Sequence, residues 1–161
     1  LLVSLAPISF GPVQLRIADC ILPLAALFGW SMIAGATIGC FLGNAVGGIV
    51  AYGAANPLDV VFGSIANLLA TLIIFAFRRH KMLSCIAASM VIGFIVGGYL
   101  WIFLEPPSIL GLAMPVWLAT IISITLSSII SIAVIGYIIL RAISRPSIID
   151  VPRTKGISIL E

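Results

Sequence analysis

"NPLDVVFGSIANLLATLIIFAFRRHK", residues 56 to 81, decides the fold. No charge interrupts the apolar run between Asp59 and Arg78. Residues 58 to 77 are therefore long enough to cross a hydrocarbon core of about 30 Å, at about 1.5 Å of rise per residue. The run stops on Arg78, Arg79 and Lys81, as a membrane span does where it meets charged head groups. The same stretch carries Asp59, Gly63, Asn67 and Thr71 at a spacing of four, which places them on one helix face. Lipid does not tolerate a carboxylate and an amide, so this stripe is expected to point into a bundle.

The whole chain agrees with that stretch. Of its 161 residues, 62% are hydrophobic and 8% charged, and the mean hydropathy is +1.32. No single core of this size buries so much apolar surface without lipid as solvent, so the expected class is an all-α integral membrane protein. Five apolar units are read: residues 17 to 29, 31 to 52, 58 to 77, 82 to 104 and 114 to 140. The last three are long enough to span. Residues 17 to 52 would run about 54 Å as one straight helix, so Pro23 and Gly29-Trp30-Ser31 predict two shorter or tilted segments. The opening "LLVSLAPIS" is expected to be the tail of a helix largely missing from the chain, not a signal peptide. The domain reading is a transmembrane substrate-binding domain over 1–145 and a flexible cytoplasmic tail over 146–161.

Charge orients the bundle. Arg78, Arg79 and Lys81 fall on one side of two spans and Arg141, Arg145, Arg153 and Lys155 beyond them, so both clusters share a side. The positive-inside rule makes that side the cytoplasm, in a multi-pass plasma-membrane protein with a cytoplasmic C-terminus. Three of the five acids, Asp19, Asp59 and Glu105, are then expected at the outer face. Arg16 is the one basic residue of eight on that side, inside "ISFGPVQLRIADC", residues 8 to 20, with Gln14 beside it. It reads either as a ligand contact or as a residue snorkelling to head groups or paired with Asp19. The net charge of +3 comes from these topology signals, so nucleic acid is not an expected partner.

Further stripes point the same way. Gly35, Gly39, Gly43 and Gly47 predict a close helix approach along residues 31 to 52, with Asn44 the strong amide beside them. Ser89, Gly93, Gly97 and Trp101 repeat the device, leading to Glu105 with Tyr99 nearby. The last unit offers Trp117, Thr120, Ser123, Ser127 and Ser131. Singly, such hydroxyls bond back to their own helix and such Trp residues anchor at the interface. Together they describe a pocket open to the outside, near one leaflet.

Catalysis finds no support in the motifs. HExxH, GxSxG, paired intramembrane aspartates and GxxxxGK[ST] are all missing from the sequence, and the single His80 lies in the basic loop. Cys20, Cys40 and Cys85 are isolated and read as apolar packing residues, so no metal site is expected. The chain reads as a non-enzyme without a cofactor of its own, whose energy comes from a partner or from ions. A self-sufficient ion-coupled transporter or channel, with Asp59 and Asn67 as ion ligands, and a non-transport membrane scaffold are the alternatives.

"LAPISFGPVQLRIADCILPLAALFG", "AGATIGCFLGN" and "NPLDVVFGSIANLLATLI", in that order, resemble the QueT family, and "MPVWL" resembles the start of that family's last helix. These proteins are the substrate-capture, or S, components of energy-coupling-factor (ECF) transporters. The resemblance implies a six-helix S-component-like bundle, truncated here at its first helix, and a site near the outer face for a queuosine precursor, a deazaguanine base. It also implies a transmembrane coupling subunit and two cytoplasmic ATPase subunits, which use ATP, with the loop over Ser9 to Asp19 capping the solute. Donor edges of such a base suit Asp19, Asp59 or Glu105, and its flat ring suits Trp117, Trp101 or Tyr99. The substrate-binding set is thus Gln14, Arg16, Asp19, Asn44, Asp59, Asn67, Tyr99, Trp101, Glu105 and Trp117. Two positions depart from the family: Asp19 stands where Glu is usual, and "TLSSII", residues 125 to 130, replaces an expected Gly-Glu pair.

Overall fold

In the computed structural model, the described residues are 17–103 and 115–145. They form helices joined by short turns, with no strand among them. A 3-10 segment, Ile17–Leu24, runs into the single turn α1, Ala25–Phe28. The long helices α2, Trp30–Tyr52, and α3, Pro57–Ala76, follow. A 3-10 turn, Arg78–His80, leads into α4, Lys81–Leu100. The last rod begins as α5, Val116–Ser128, widens into a π-helical stretch, Ile129–Gly136, and ends as α6, Tyr137–Ile143.

Four rods are long and apolar enough to cross a membrane: Trp30–Val50, Pro57–Ala76, Arg78–Leu100 and Val116–Ile143. The chain is thus an all-helical membrane bundle. Its outer surface is what lipid requires, with Val50, Leu83, Phe94 and Ile138 turned outward. Its interior is knit by Leu22, Ile33, Ile74, Ile92, Ile132 and Leu140.

Local chemistry sets the breaks. Gly29 has φ 56° and Gly53 φ 77°, conformations that carry a steric penalty for any residue with a Cβ. Gly29 separates α1 from α2, and Gly53 ends α2 with its N–H donating to the Ile49 carbonyl at 2.9 Å. Asn56 then caps α3: its Oδ1 accepts from the Leu58 N–H at 3.0 Å, with Pro57 in the first helical position. The break expected across residues 17 to 52 falls at Gly29, whereas Pro23 is absorbed into the 3-10 segment. Ile17–Phe28 covers about 22 Å by its 3-10 and α rises, less than the hydrocarbon thickness.

Small residues bring the rods together. A Cβ on Gly97 would lie 2.6 Å from Ile121 Cα, one on Gly93 would collide with Thr125, and one on Gly136 would lie 2.6 Å from the Cys20 carbonyl oxygen. The glycine stripe of α2 is only partly used in this way. Gly43 and Gly47 are buried, but Gly35 and Gly39 face outward, with nothing within 4 Å of an added Cβ. At Gly48 an added Cβ would lie 3.0 Å from Ala55 Cα, in the turn that follows the helix.

The cross-contacts also give depth. Tyr99 meets Asp59 at one end of the bundle, and Ser89 Oγ approaches the Ser128 carbonyl at 3.1 Å. The ten residues between Tyr99 and Ser89 measure roughly 15 Å along α4. Ser131 Oγ donates to the Ile17 carbonyl at 3.4 Å, so the 3-10 segment starts beside the middle of the last rod and runs along its lower half.

Candidate substrate-binding site

The N-terminal turn of α3 puts Asp59 where the unpaired helix N–H groups favour a carboxylate. Two neighbouring helices then meet it. From α4, the buried Tyr99 hydroxyl donates to Asp59 Oδ1 at 2.6 Å. From α2, the buried Asn44 Nδ2 donates to the Asp59 backbone carbonyl at 3.0 Å and lies 3.6 Å from Cys40 Sγ. Side chain and main chain of one residue are thereby held from two directions.

Gly63 lies one turn below, and its missing side chain leaves room for these groups. An added Cβ there would stand 2.6 Å from Asn44 Nδ2, 3.7 Å from Asp59 Oδ1 and 3.8 Å from the Tyr99 hydroxyl. Phe62 closes one side, with its ring centroid 5.8 Å from that of Tyr99.

A further turn down, Asn67 is 5% exposed and its Oδ1 has no hydrogen-bond partner. Leaving such an acceptor buried and unmet costs about 1–3 kcal/mol. The stripe loses its chemical interest below that level. Thr71 Oγ1 turns back to the Asn67 and Leu68 carbonyls at 2.7 and 2.9 Å. Thr120 and Thr125 likewise bond the carbonyls of Val116 and Ile121 in their own helix.

The inward expectation for the α3 stripe is met: Gly63, Asn67 and Thr71 are buried. Asn44, Asp59 and Tyr99 come together, and Asn67 shares their helix face. Asp19 needs correction. It is 3% exposed, but it sits in the 3-10 segment two residues beyond the Ile17 carbonyl that meets Ser131, roughly 15 Å or more along the bundle from Asp59. The 3-10 segment starts at mid-depth, not at the rim, so Asp19 does not gather with Asp59 at the membrane face. Trp101 and Trp117 are 40% and 50% exposed. The Trp101 indole N–H is engaged by the Gly98 carbonyl of its own helix at 2.9 Å. Gln14, Arg16 and Glu105 lie outside the described residues, as do the capping loop and the tail over 146–161.

Sequence reasoning passed over Phe62 and Cys40 as site neighbours. Phe62 sits beside the stripe residue Gly63 and on the rim of the same face. Cys40 stands one turn before Asn44, a spacing of four that was available to be read.

The arrangement is rich in acceptors. Asp59 keeps lone pairs beyond the one that Tyr99 occupies, and Asn67 offers a carbonyl one step deeper. Such a site suits a ligand that presents N–H or O–H donors.

Among known proteins, the family model described as the QueT transporter matches residues 1–145. No curated protein and no solved structure matches the chain. The match takes in every rod that builds the cluster, and with the four membrane-spanning helices it supports one conclusion: this chain belongs to the QueT transporter family.

Proposed function

We propose that the chain is the membrane-embedded substrate-binding subunit of an ECF-type importer, which captures a queuosine precursor, a deazaguanine base, from the outside for ATP-driven uptake. The observation that carries this reading is the convergence of Asn44, Asp59 and Tyr99 from three helices at one end of the bundle, above the unpartnered Asn67 carbonyl. A guanine-like edge presents adjacent ring N–H and exocyclic amine donors, which a carboxylate accepts as a pair. A second donor on the ligand would relieve the Asn67 oxygen.

Family membership supports the import role, and the sequence lacks the GxxxxGK[ST] loop that would let the chain use ATP itself. A transmembrane coupling subunit and two cytoplasmic ATPases would supply that energy. The end carrying Arg78, Arg79 and Lys81 is assigned to the cytoplasm and the Asp59 end to the outside.

The test is equilibrium binding of deazaguanine bases to the full-length protein in nanodiscs, without ATP, with guanine and riboflavin as controls. Saturable binding of one deazaguanine in preference to both controls is expected. Binding of neither deazaguanine nor guanine would remove the substrate assignment.

A further inference from the structure

At the opposite end from Asp59, a groove of about 470 Å³ opens between the start of α4 and the last rod. Its rim at the bundle end is basic: Arg79, His80 and Lys81. Further in, its wall turns apolar, with Met82, Leu83 and Ile86 on α4 and Tyr137 on α6. The carboxylates among the described residues are Asp19 and Asp59 alone. Asp59 is at the far end of the bundle, and Asp19 lines no part of the groove.

The rim therefore carries positive charge that no described carboxylate neutralises. Arg78 is not part of it, since its guanidinium lies over the Phe75 ring at 5.2 Å. Arg79 and His80 are exposed and Lys81 is half-buried. The Arg79 and Lys81 charges stand at the N-terminus of α4, where the helix dipole is already positive and no acidic residue occupies the first turn. Basic side chains there work against the helix and concentrate a field that favours an anion.

Trp30 and Phe75 pair at the same end of the bundle with centroids 6.0 Å apart, and a Trp there is what a membrane–water interface favours. Cations at head-group level above an apolar wall at acyl-chain level match a molecule with a phosphate at one end and hydrocarbon at the other. We propose that this groove binds an anionic glycerophospholipid, with Arg79 and Lys81 on its phosphate and the first acyl carbons along Leu83, Ile86 and Tyr137. A basic pocket between spans is a known physical form for such recognition. The proposal is independent of the identity of the transported solute.

The test titrates the full-length protein in detergent with dioleoyl-phosphatidylglycerol or dioleoyl-phosphatidylcholine and counts bound lipid by native mass spectrometry. The wild-type chain is expected to prefer phosphatidylglycerol by about tenfold, and R79Q/K81Q to lose that preference. R141Q/R145Q, which removes the same charge outside the groove, should keep it. Equal binding of the two lipids would overturn the proposal. So would equal loss in both double variants, which would mean general attraction to a basic surface. Full competition by soluble glycerol phosphate would overturn it as well, since it would assign the groove to a free phosphate. Preference transferred to an acidic protein partner, with no lipid retained, would make the groove a protein-docking surface instead.

Discussion

At the scale of single residues, roles in stability and in binding separate. Asn67→Leu removes a buried oxygen that no group satisfies. The folded protein should melt at the same temperature or higher, while deazaguanine affinity falls by about fivefold, the worth of one hydrogen bond. A thermal melt and a binding titration on the same sample check both halves. Gly63→Ala would push on Asn44 Nδ2, which stands 2.6 Å from the new Cβ. Because that atom is the end of a flexible side chain, the fold should survive within about 1 kcal/mol. The Asn44 hydrogen bond to Asp59 should be lost, and binding should weaken about fivefold. Unchanged affinity in both variants would separate the cluster from the ligand. The polar stripe was legible in sequence because a spacing of four on a helix needs no tertiary knowledge. The Tyr99 bond to Asp59 was not, since it joins residues forty apart and depends on how far α3 slides along α4.

At the scale of elements, small residues decide which helices touch. Gly97→Ala would set a Cβ 2.6 Å from Ile121 Cα, where only backbone movement can make room. A loss of about 1–3 kcal/mol is expected, read as a lower melting temperature, with Gly39→Ala as the comparison that costs no stability because its face is open. A Gly97→Ala protein as stable as the wild type would refute the tight α4–α5 seam. The glycine pattern alone did not distinguish these cases. Gly35 and Gly39 share the period of Gly43 and Gly47, yet face outward, because a sequence repeat marks a face without saying what packs on it. The 3-10 segment and the π-helical stretch were equally hidden. The two elements dock on each other, with Gly136 against Cys20 and Pro23, so their geometry answers to tertiary contact and not to propensity. The long units themselves followed directly from apolar length.

At the scale of the whole molecule, apolar composition and charge clusters forecast a membrane bundle, and four spans with outward-facing apolar side chains are what forms. Two spans separate the Arg78–His80 turn from Arg141, which puts both basic clusters at one end, with the Asp59 cluster at the other. Single cysteines at two positions, A55C and R79C, in a background without Cys20, Cys40 and Cys85, should differ toward an impermeant reagent, the first reacting in intact cells and the second only after permeabilisation. Labelling of both from one side would overturn the orientation. Composition does not disclose that Asp19 and Asp59 sit at different depths, because nothing in it shows that the 3-10 segment starts at mid-bundle. If the Asp59 cluster receives the substrate, deazaguanine affinity of full-length Asp59→Asn beside wild type reports it. Replacing a carboxylate acceptor by an amide should weaken binding by more than about tenfold with the helical content unchanged. Equal affinity in a folded variant would mean that the ligand does not bind at Asp59.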